Sequence, residues 1–267
     1  MLPGGKALVV AVAAAFGLGR KEAYGHIGPG LNGHAFVPGA MPPLSAASTL
    51  CPVRSSLAVL HLQIVQSMFT GIIEAAVPVL AAEAQGSGLR LTLKAPDLAE
   101  WSVSRGDSVA VSGACLTVED LGEGGEICFD LSAETVARTW FGSLEPGQRL
   151  NLERALKLDA RLDGHLVSGH VDGGAGVLDV QPRGDGGTEI AFQADPGQDR
   201  YLVDKGSVTL DGVSLTVISP QQGRFHVALI PLTLELTSLG DLRTGDRVNL
   251  EADMIGKWVE RLLPSQG

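Results

Sequence analysis

From residue 68 to residue 254, apolar residues occur in short runs or alternate with polar ones, and Gly, Asp or Pro bounds most runs. This pattern predicts β-strands, because a half-buried strand exposes every second side chain. Six strands are predicted in the first half of this region, at residues 71–80, 89–95, 108–112, 114–120, 126–131 and 148–154. Six more are predicted in the second half, at residues 167–180, 188–194, 207–211, 213–219, 224–230 and 247–252. A short helix is predicted after the fifth strand of each half, near residues 133–141 and 231–239.

The two halves also repeat one another. RGDSVAVSGACLTV, which ends at residue 118, matches KGSVTLDGVSLTV, which ends at residue 217. ETVARTWFGSLEPGQRLNLE begins at residue 134 and matches LTLELTSLGDLRTGDRVNLE, which begins at residue 232, an offset of 98 (232 minus 134). Because solenoid repeats are much shorter, this period indicates a duplicated domain. We therefore predict an all-β fold of two tandem six-stranded antiparallel Greek-key β-barrels, over residues 68–164 and 165–254, in which closure removes exposed sheet edges.

The last segment, residues 255–267, has helical rather than strand periodicity. Apolar residues fall at i, i+3, i+4, i+7 and i+8, which predicts a C-terminal amphipathic helix; they are Ile255, Trp258, Val259, Leu262 and Leu263. The pattern is equally compatible with packing between subunits and with docking on the chain's own barrel.

Residues 1–67 differ in composition from the rest of the chain, with four basic residues against the single acid Glu22. Their apolar run, within residues 6–20, is shorter than the roughly 20 residues that span a bilayer. Three interpretations stay open: upstream DNA translated from an early start codon, with Met68 as the true start; an organelle transit peptide; or a secretory signal. The segment GPGLNG, at residues 28–33, matches the GxGxxG pattern of dinucleotide-binding folds. No predicted strand precedes it, so dinucleotide binding is not indicated.

Charge and cysteine content exclude several classes of function. The net charge of −10 argues against a nucleic-acid surface. The three cysteines form no CxxC pair, so neither a disulfide scaffold nor a zinc site is indicated, and a reducing compartment such as the cytoplasm fits. A plastid location would follow instead if residues 1–67 are a transit peptide. We expect a small-molecule ligand and no membrane association.

Seven motifs in order carry a resemblance to a known family: MFTGIIE, GACLTV, SAET, NLERAL, GHLVSGHVDG, DGVSLTV and IPLTLELT. Together they resemble riboflavin synthase of the alpha-chain type, over about residues 68–263. The resemblance implies a dismutation in which one 6,7-dimethyl-8-ribityllumazine passes a four-carbon unit to another, giving riboflavin and 5-amino-6-ribitylaminouracil. It implies no cofactor and no metal. It also implies a homotrimer, with the active site between the first barrel of one subunit and the second barrel of its neighbour, and association with lumazine synthase.

The same resemblance implies two sets of substrate-binding residues. The set assigned to the first barrel is Gly71, Ile72, Ile73, Cys115, Leu116, Thr117, Asp130, Leu131, Ser132, Ala133, Glu134 and Thr135. The set assigned to the second barrel is Gly169, His170, Val171, Lys205, Ser214, Leu215, Thr216, Leu232, Thr233, Leu234, Glu235, Leu236 and Thr237. Leu232 departs from the family, which often has His or Glu there.

The catalytic candidates are Ser214, His170, Cys115 and Lys205. The halves differ at these positions, since Ser214 stands opposite Cys115 and His170 opposite Ile72 in the repeat. Our hypothesis is that Ser214 helps to activate the nucleophile that adds to one lumazine, while His170 or a water relays protons. His165 is interpreted as a structural hydrogen-bonding residue.

Two other functions remain as alternatives. One is a non-catalytic lumazine- or flavin-binding protein of the fluorescent type, which shares the double-barrel fold. The other is a two-barrel interaction or export module, which the apolar N-terminal segment would suggest.

Overall fold

The computed structural model describes residues 67–263. The predicted N-terminal extension, apart from Ser67, therefore lies outside the described residues, as do residues 264–267. None of the helices in the described part of the chain is long and apolar enough to cross a membrane.

The first barrel is a closed antiparallel sheet, as predicted. Its strands pair in the order β1-β2-β5-β4-β3-β6. They are β1 (Ala75–Gln85), β2 (Gly88–Lys94), β3 (Ser108–Val111), β4 (Ala114–Leu121), β5 (Glu126–Leu131) and β6 (Arg149–Arg154). The predicted helix consists of α1 (Ala133–Arg138) and a 3-10 helix, Trp140–Ser143.

The second barrel has seven strands instead of the predicted six. They pair in the order β10-β9-β13-β7-β8-β12-β11. The strands are β7 (Gly173–Pro182), β8 (Thr188–Ala194), β9 (Ser207–Leu210), β10 (Val213–Thr216), β11 (Ile218–Gln221), β12 (Arg224–Leu229) and β13 (Arg247–Ala252). Helix α2 (Pro231–Leu236) and a 3-10 helix, Ser238–Asp241, follow β12.

The extra strand arises because the predicted strand 213–219 is interrupted. At Ser219 the backbone has a left-handed φ of +49°, and its N–H donates to Oδ1 of Asp204 at 2.8 Å. The two edge strands of the sheet, β10 and β11, are therefore consecutive segments of the chain, and the sheet is nearly closed. The first barrel absorbs the same irregularity as a β-bulge between Val118 and Asp120, so β4 remains continuous.

Each barrel has its own hydrophobic core, built from the alternating apolar positions. Phe129 and Phe141 are fully buried in the first core, and Phe192 and Phe225 stack in the second with ring centroids 5.6 Å apart. Truncation of such a buried ring to alanine typically costs about 3–5 kcal/mol. Because successive side chains of a strand point to opposite faces, packing of the inward side chains in the core also sets the positions of the outward ones.

The strands predicted at 71–80 and 167–180 begin later than expected, at Ala75 and Gly173. The residues before each strand cross over to the opposite barrel. Ile73 is buried in the core of the second barrel, whereas Val171 packs against the core of the first. The crossing segments meet at Phe69 and Val167, whose backbones exchange N–H···O bonds of 2.8 and 3.1 Å.

A seam of reciprocal hydrogen bonds joins the barrels. The side chain of Asn151 donates to the carbonyl of Asp211 at 2.9 Å, and that of Asn249 donates to the carbonyl of Ser112 at 2.8 Å. Both asparagines are buried. Trp140 Nε1 donates to the buried Asp211 carboxylate at 3.0 Å. Burial raises the pKa of Asp211 to about 7.

The C-terminal helix α3 (Met254–Leu262) begins one residue before the predicted start and is held to the second barrel by its polar side chains. Glu260 accepts from Arg200 Nη1 at 2.8 Å and from the Tyr201 hydroxyl. Lys257 Nζ lies 2.6 Å from Asp172 Oδ2. The predicted apolar stripe faces away from this attachment, and its members are 50–79% exposed.

Candidate active site

The predicted site residues gather into two groups, one on each barrel. Site 1 is the group around Cys115 on β4, and site 2 is the group around Ser214 on β10. In each site, the segment that crosses from the other half lies against the central residue. The N–H of Cys115 donates to the carbonyl of Gly169 at 2.7 Å, and the N–H of Ser214 donates to that of Gly71 at 2.8 Å.

The crossing corrects the predicted grouping of the glycine-containing segments. Residues 71–73 were assigned to the first barrel and residues 169–171 to the second, but each set lies at the opposite site. Both glycines have left-handed backbones, with φ of +76° for Gly71 and +77° for Gly169. A Cβ on either glycine would lie 2.6 Å from the Cβ of Ser214 or Cys115, respectively. Only glycine meets both the dihedral and the close approach.

Site 2 contains a serine–histidine pair. Oγ of Ser214 and Nδ1 of His165 are 2.8 Å apart, within hydrogen-bonding distance. The His165 backbone is anchored by its N–H, which donates to the Thr70 carbonyl at 3.1 Å. Burial lowers the pKa of His165, and the nearby Asp253 carboxylate only partly opposes this shift. The imidazole is therefore neutral at pH 7.

His165 is the site residue that sequence reasoning missed. The motif GHLVSGH offered two histidines, and the proton relay was assigned to His170. His170 instead is exposed and follows Gly169, so it belongs to site 1, whereas Ser214 belongs to site 2. The choice between the histidines depends on which crossing segment reaches which barrel, and no local sequence signal records that.

Site 1 holds a thiol where site 2 holds the serine hydroxyl. Burial raises the pKa of Cys115, against a smaller opposing effect of a hydrogen bond from Ser108. The thiol is therefore protonated at neutral pH, which makes it a poor nucleophile. Cys115 lines the site without the features of an activated cysteine.

Two buried glutamates hold the crossing segments in place, and sequence reasoning missed them as well. Glu153 accepts from the N–H and hydroxyl of Thr70, both at 2.7 Å, and from the N–H of Gly71 at 2.9 Å. Glu251 accepts from Ser168 and Gly169 in the same way, at 2.7–3.0 Å. Burial raises the pKa of Glu153 to about 7. Each glutamate ends an NLE sequence, at residues 151–153 and 249–251. This repeat was the sequence signal that could have identified them.

The rims of the two sites differ strongly. At site 1, Ser132 caps α1 by accepting from the Thr135 N–H at 3.1 Å, and Asp130 and Glu134 are exposed. At site 2, Pro231 begins α2 without a side-chain cap, and Leu232 occupies the position of Glu134. The rim of site 1 is therefore charged, with each carboxylate paired to an arginine, whereas at site 2 Leu232 removes one of these charges and Glu235 is the exposed carboxylate of α2.

Several predicted binding residues turn their side chains away from solvent. Four belong to the barrel cores, so only their backbones can face a ligand: Ile73, Leu116, Leu131 and Leu215. Thr233 and Thr237 are buried too, and the Thr237 hydroxyl donates to the Thr233 carbonyl at 2.7 Å. Lys205 is exposed in a turn with φ of +63°.

The comparisons with known proteins agree with this architecture. The family model of the lumazine binding domain matches twice, over residues 70–155 and 168–253. Riboflavin synthase from Mycobacterium tuberculosis is 44% identical over 203 residues, which are 75% of this chain and 100% of that protein. Riboflavin synthase from Bacillus subtilis is 39% identical over 196 residues, 73% of this chain and 90% of that protein. This chain belongs to the riboflavin synthase family.

Solved structures show the same fold in a more distant protein. LumP complexed with 6,7-dimethyl-8-(1'-D-ribityl) lumazine matches with a TM-score of 0.63 and 23% identity, over 69% of this chain and 98% of that one. LumP complexed with riboflavin matches with a TM-score of 0.64 and 24% identity, over the same shares. The predicted family and fold are thus confirmed, and site 1 and site 2 lie on the two lumazine-binding domains of a riboflavin synthase family member.

Proposed function

We propose that the protein is a riboflavin synthase, a transferase that converts two molecules of 6,7-dimethyl-8-ribityllumazine into riboflavin and 5-amino-6-ribitylaminouracil. The observation that carries the proposal is the Ser214–His165 pair, 2.8 Å apart, in a chain with two complete lumazine-binding domains. The 44% identity to a riboflavin synthase over its whole length supports the same activity. The alternative of a binding protein has weaker support, because LumP, whose solved structures hold a lumazine or riboflavin, is only 23–24% identical.

Two similar sites suit a reaction between two copies of one substrate. Each barrel offers backbone groups and small side chains around Cys115 or Ser214, which fit a flat ring with alternating donors and acceptors. When the two rings are held face to face, a bimolecular reaction becomes effectively unimolecular, and this accounts for much of the rate. A pair of identical sites would leave donor and acceptor indistinguishable, so the differences between the sites assign the roles.

Ser214 and His165 supply proton transfer at site 2. The neutral imidazole accepts the serine proton at Nδ1 when its other nitrogen carries the hydrogen, and Oγ then draws a proton from the nucleophile that adds to the lumazine ring. The second lumazine loses a proton from its C7 methyl group to His170 or to a water. The resulting carbanion adds to a C=N carbon of the activated ring, and the ring nitrogen takes up the electron pair. His170 and Lys205, both exposed, stay candidates for contacts to the lumazine across the site.

The complete active site forms between subunits, from site 1 of one chain and site 2 of its neighbour. The orientation of α3 supports this assembly, because its polar residues bind the barrel and leave Trp258 and Leu262 64% and 79% exposed. An apolar helical stripe turned outward in this way is a surface that other copies cover. We infer a homotrimer, as the family resemblance implies.

The assembly is tested by Trp258→Glu, which places a charge on the exposed stripe and leaves the polar contacts of α3 intact. Sedimentation analysis should give a trimer for the wild type and a folded monomer for the variant, with activity reduced to the same extent as the trimer fraction. Arg261→Ala, an exposed change on the same helix, is the control. A wild-type protein that sediments as a monomer at micromolar concentration contradicts the proposal.

The activity itself is tested by incubating the full chain with 6,7-dimethyl-8-ribityllumazine alone and following riboflavin by absorbance. One riboflavin for every two lumazines consumed establishes the dismutation. Tight binding without turnover would favour the non-catalytic binder instead. The cytoplasmic location and the association with lumazine synthase stay predictions, for which fractionation and co-sedimentation are the direct measurements.

A further inference from the structure

A row of polar side chains crosses the outer face of the first barrel at site 1. Arg90 on β2 is the cross-strand partner of Asp130 on β5, and Nη1 of Arg90 donates to Oδ1 of Asp130 at 2.8 Å. On the next strand, Val118 pairs with Phe129, which places Thr117 beside Asp130. Arg90, which was absent from the predicted site residues, therefore touches a predicted one directly.

We propose that Arg90 is a positioning residue of site 1, which holds the Asp130 carboxylate so that it accepts hydrogen bonds from the hydroxyls of a polyol chain. This inference rests on the proposed function, which supplies the polyol as the ribityl chain of the lumazine. The arrangement leaves Oδ2 of Asp130 without a hydrogen bond from any residue between 67 and 263. The side chains of Arg90 and Asp130 are 33% and 42% exposed, so a ligand can reach both.

The second barrel shows that the fold does not require this pair. The residues at the corresponding positions are Glu189 and Ala228, which are also cross-strand partners. Glu189 turns instead to Arg183 at 3.1 Å and to His226 at 3.4 Å. The second barrel thus forms without an ion pair between these two strand positions, and an exposed pair contributes little to stability.

The chemistry of the pair fits a polyol better than a flat ring. A carboxylate oxygen is a strong acceptor for hydroxyl groups, and a guanidinium beside it fixes its direction and remains charged at every relevant pH. Arg90 also keeps further N–H groups that can donate to hydroxyl oxygens. The second barrel lacks this cross-strand pair, because Ala228 stands in place of Asp130, so the effect of Arg90 should be confined to one of the two ligands bound per chain.

The experiment compares two ligands that differ only in the chain at N8. Wild type, Arg90→Ala and Arg90→Lys are titrated with 6,7-dimethyl-8-ribityllumazine and with 6,7,8-trimethyllumazine, which has the ring without the polyol. We expect Arg90→Ala to weaken one of two ribityllumazine sites about tenfold and to leave the trimethyl ligand unchanged. Arg90→Lys should restore part of the loss. The KM should rise similarly, with kcat within about twofold.

The matched control is Arg105→Ala, which removes another exposed ion pair of the first barrel, to Glu119 at 2.8 Å. It should leave both ligands unaffected. An equal loss for both ligands in Arg90→Ala, or no loss for either, would overturn the inference. A wild-type protein that binds both ligands normally but forms no riboflavin would refute the proposed activity and leave the role of Arg90 supported by the titrations.

Discussion

The two barrels share one framework and differ at the points where chemistry takes place. In both, a glutamate holds a crossing segment whose glycine lies against the centre of the opposite site. Site 2 adds a hydroxyl paired with a neutral histidine, whereas site 1 has a protonated thiol, Cys115, and a charged rim. The two barrels thus share one backbone framework. Their side chains differ, and this difference gives the two sites different roles. We infer that site 2 supplies proton transfer and that site 1 mainly binds and orients its lumazine.

The most direct test of this difference between the sites is to truncate their central side chains, Ser214 and Cys115. Ser214→Ala should lower kcat by about a hundredfold or more, because loss of a positioned proton-transfer group typically costs about 10²–10⁴. Cys115→Ala should lower it by less than about tenfold, since its thiol has no activating partner. Steady-state riboflavin formation measures both.

Both variants keep the Cβ that meets the crossing glycine, so thermal unfolding should be nearly unchanged and serves as the control. Equal losses of activity in the two variants would refute the division of roles between the sites.

The shared framework is tested at Gly71, where a Cβ would lie 2.6 Å from the Ser214 Cβ. Gly71→Ala should destabilise the protein by about 1–3 kcal/mol more than Gly106→Ala, as overpacking of a tight contact does. Gly106 has a left-handed φ of +91° too, but nothing lies within 4 Å of the position that a Cβ would take there. Gly106→Ala therefore measures the cost of backbone strain alone, and the additional loss in Gly71→Ala measures the cost of the steric clash.

Denaturant unfolding measures both variants. Gly169→Ala should behave like Gly71→Ala, because its contact with Cys115 is equally close. If Gly71→Ala and Gly106→Ala unfold alike, the crossing segment does not pack as described.

A third difference lies at the seam, where Asp211 occupies the position of Ser112. The pKa of Asp211 is raised by burial from 3.8 to about 7. Between these values the folded protein keeps a proton that the unfolded chain has lost, so Asp211 makes stability fall as pH rises from about 4 to about 7. Asp211→Asn should flatten this slope and raise the free energy of unfolding at pH 8 by roughly 1 kcal/mol or more relative to pH 4.

Urea unfolding at pH 4, 6 and 8 measures the effect. Glu153, whose pKa is raised to about 7, contributes a slope of the same sign, so part of the pH dependence should persist in Asp211→Asn. An unchanged slope would show that Asp211 is ionised in the folded protein.

The smallest expected effect concerns the rims. Leu232→Glu gives site 2 the carboxylate that Glu134 provides at site 1, and Leu232 is 37% exposed. A solvated carboxylate adds little binding energy, so the KM for the lumazine should fall by no more than about threefold. Initial rates at varied substrate concentration test this, with Leu98→Glu as an exposed control on the other barrel. A large gain would mean that Leu232 limits binding at site 2.

Much of the framework could be predicted because its signals are local. Alternation of apolar residues located nearly every strand, and the repeat located both barrels. Errors occurred where backbone geometry depends on distant contacts. The break after β10 coincides with the left-handed backbone of Ser219, whose N–H donates to Asp204 Oδ1 at 2.8 Å. The late starts of β1 and β7 depend on segments that belong to the opposite barrel.

The sequence by itself determined the duplicated β-barrel fold and the family, because strand periodicity and motif order are local properties of the chain, and it proposed the residues around Cys115 and Ser214 through the family resemblance. Only the tertiary structure decided that His165 rather than His170 meets Ser214, that Arg90 holds Asp130, and that the crossing segments exchange sites. These contacts join residues 40 to 143 positions apart (Arg90 to Asp130, Gly71 to Ser214). The first depends on the pairing of β2 with β5 inside the first barrel, and the second exists only when both barrels are packed against each other.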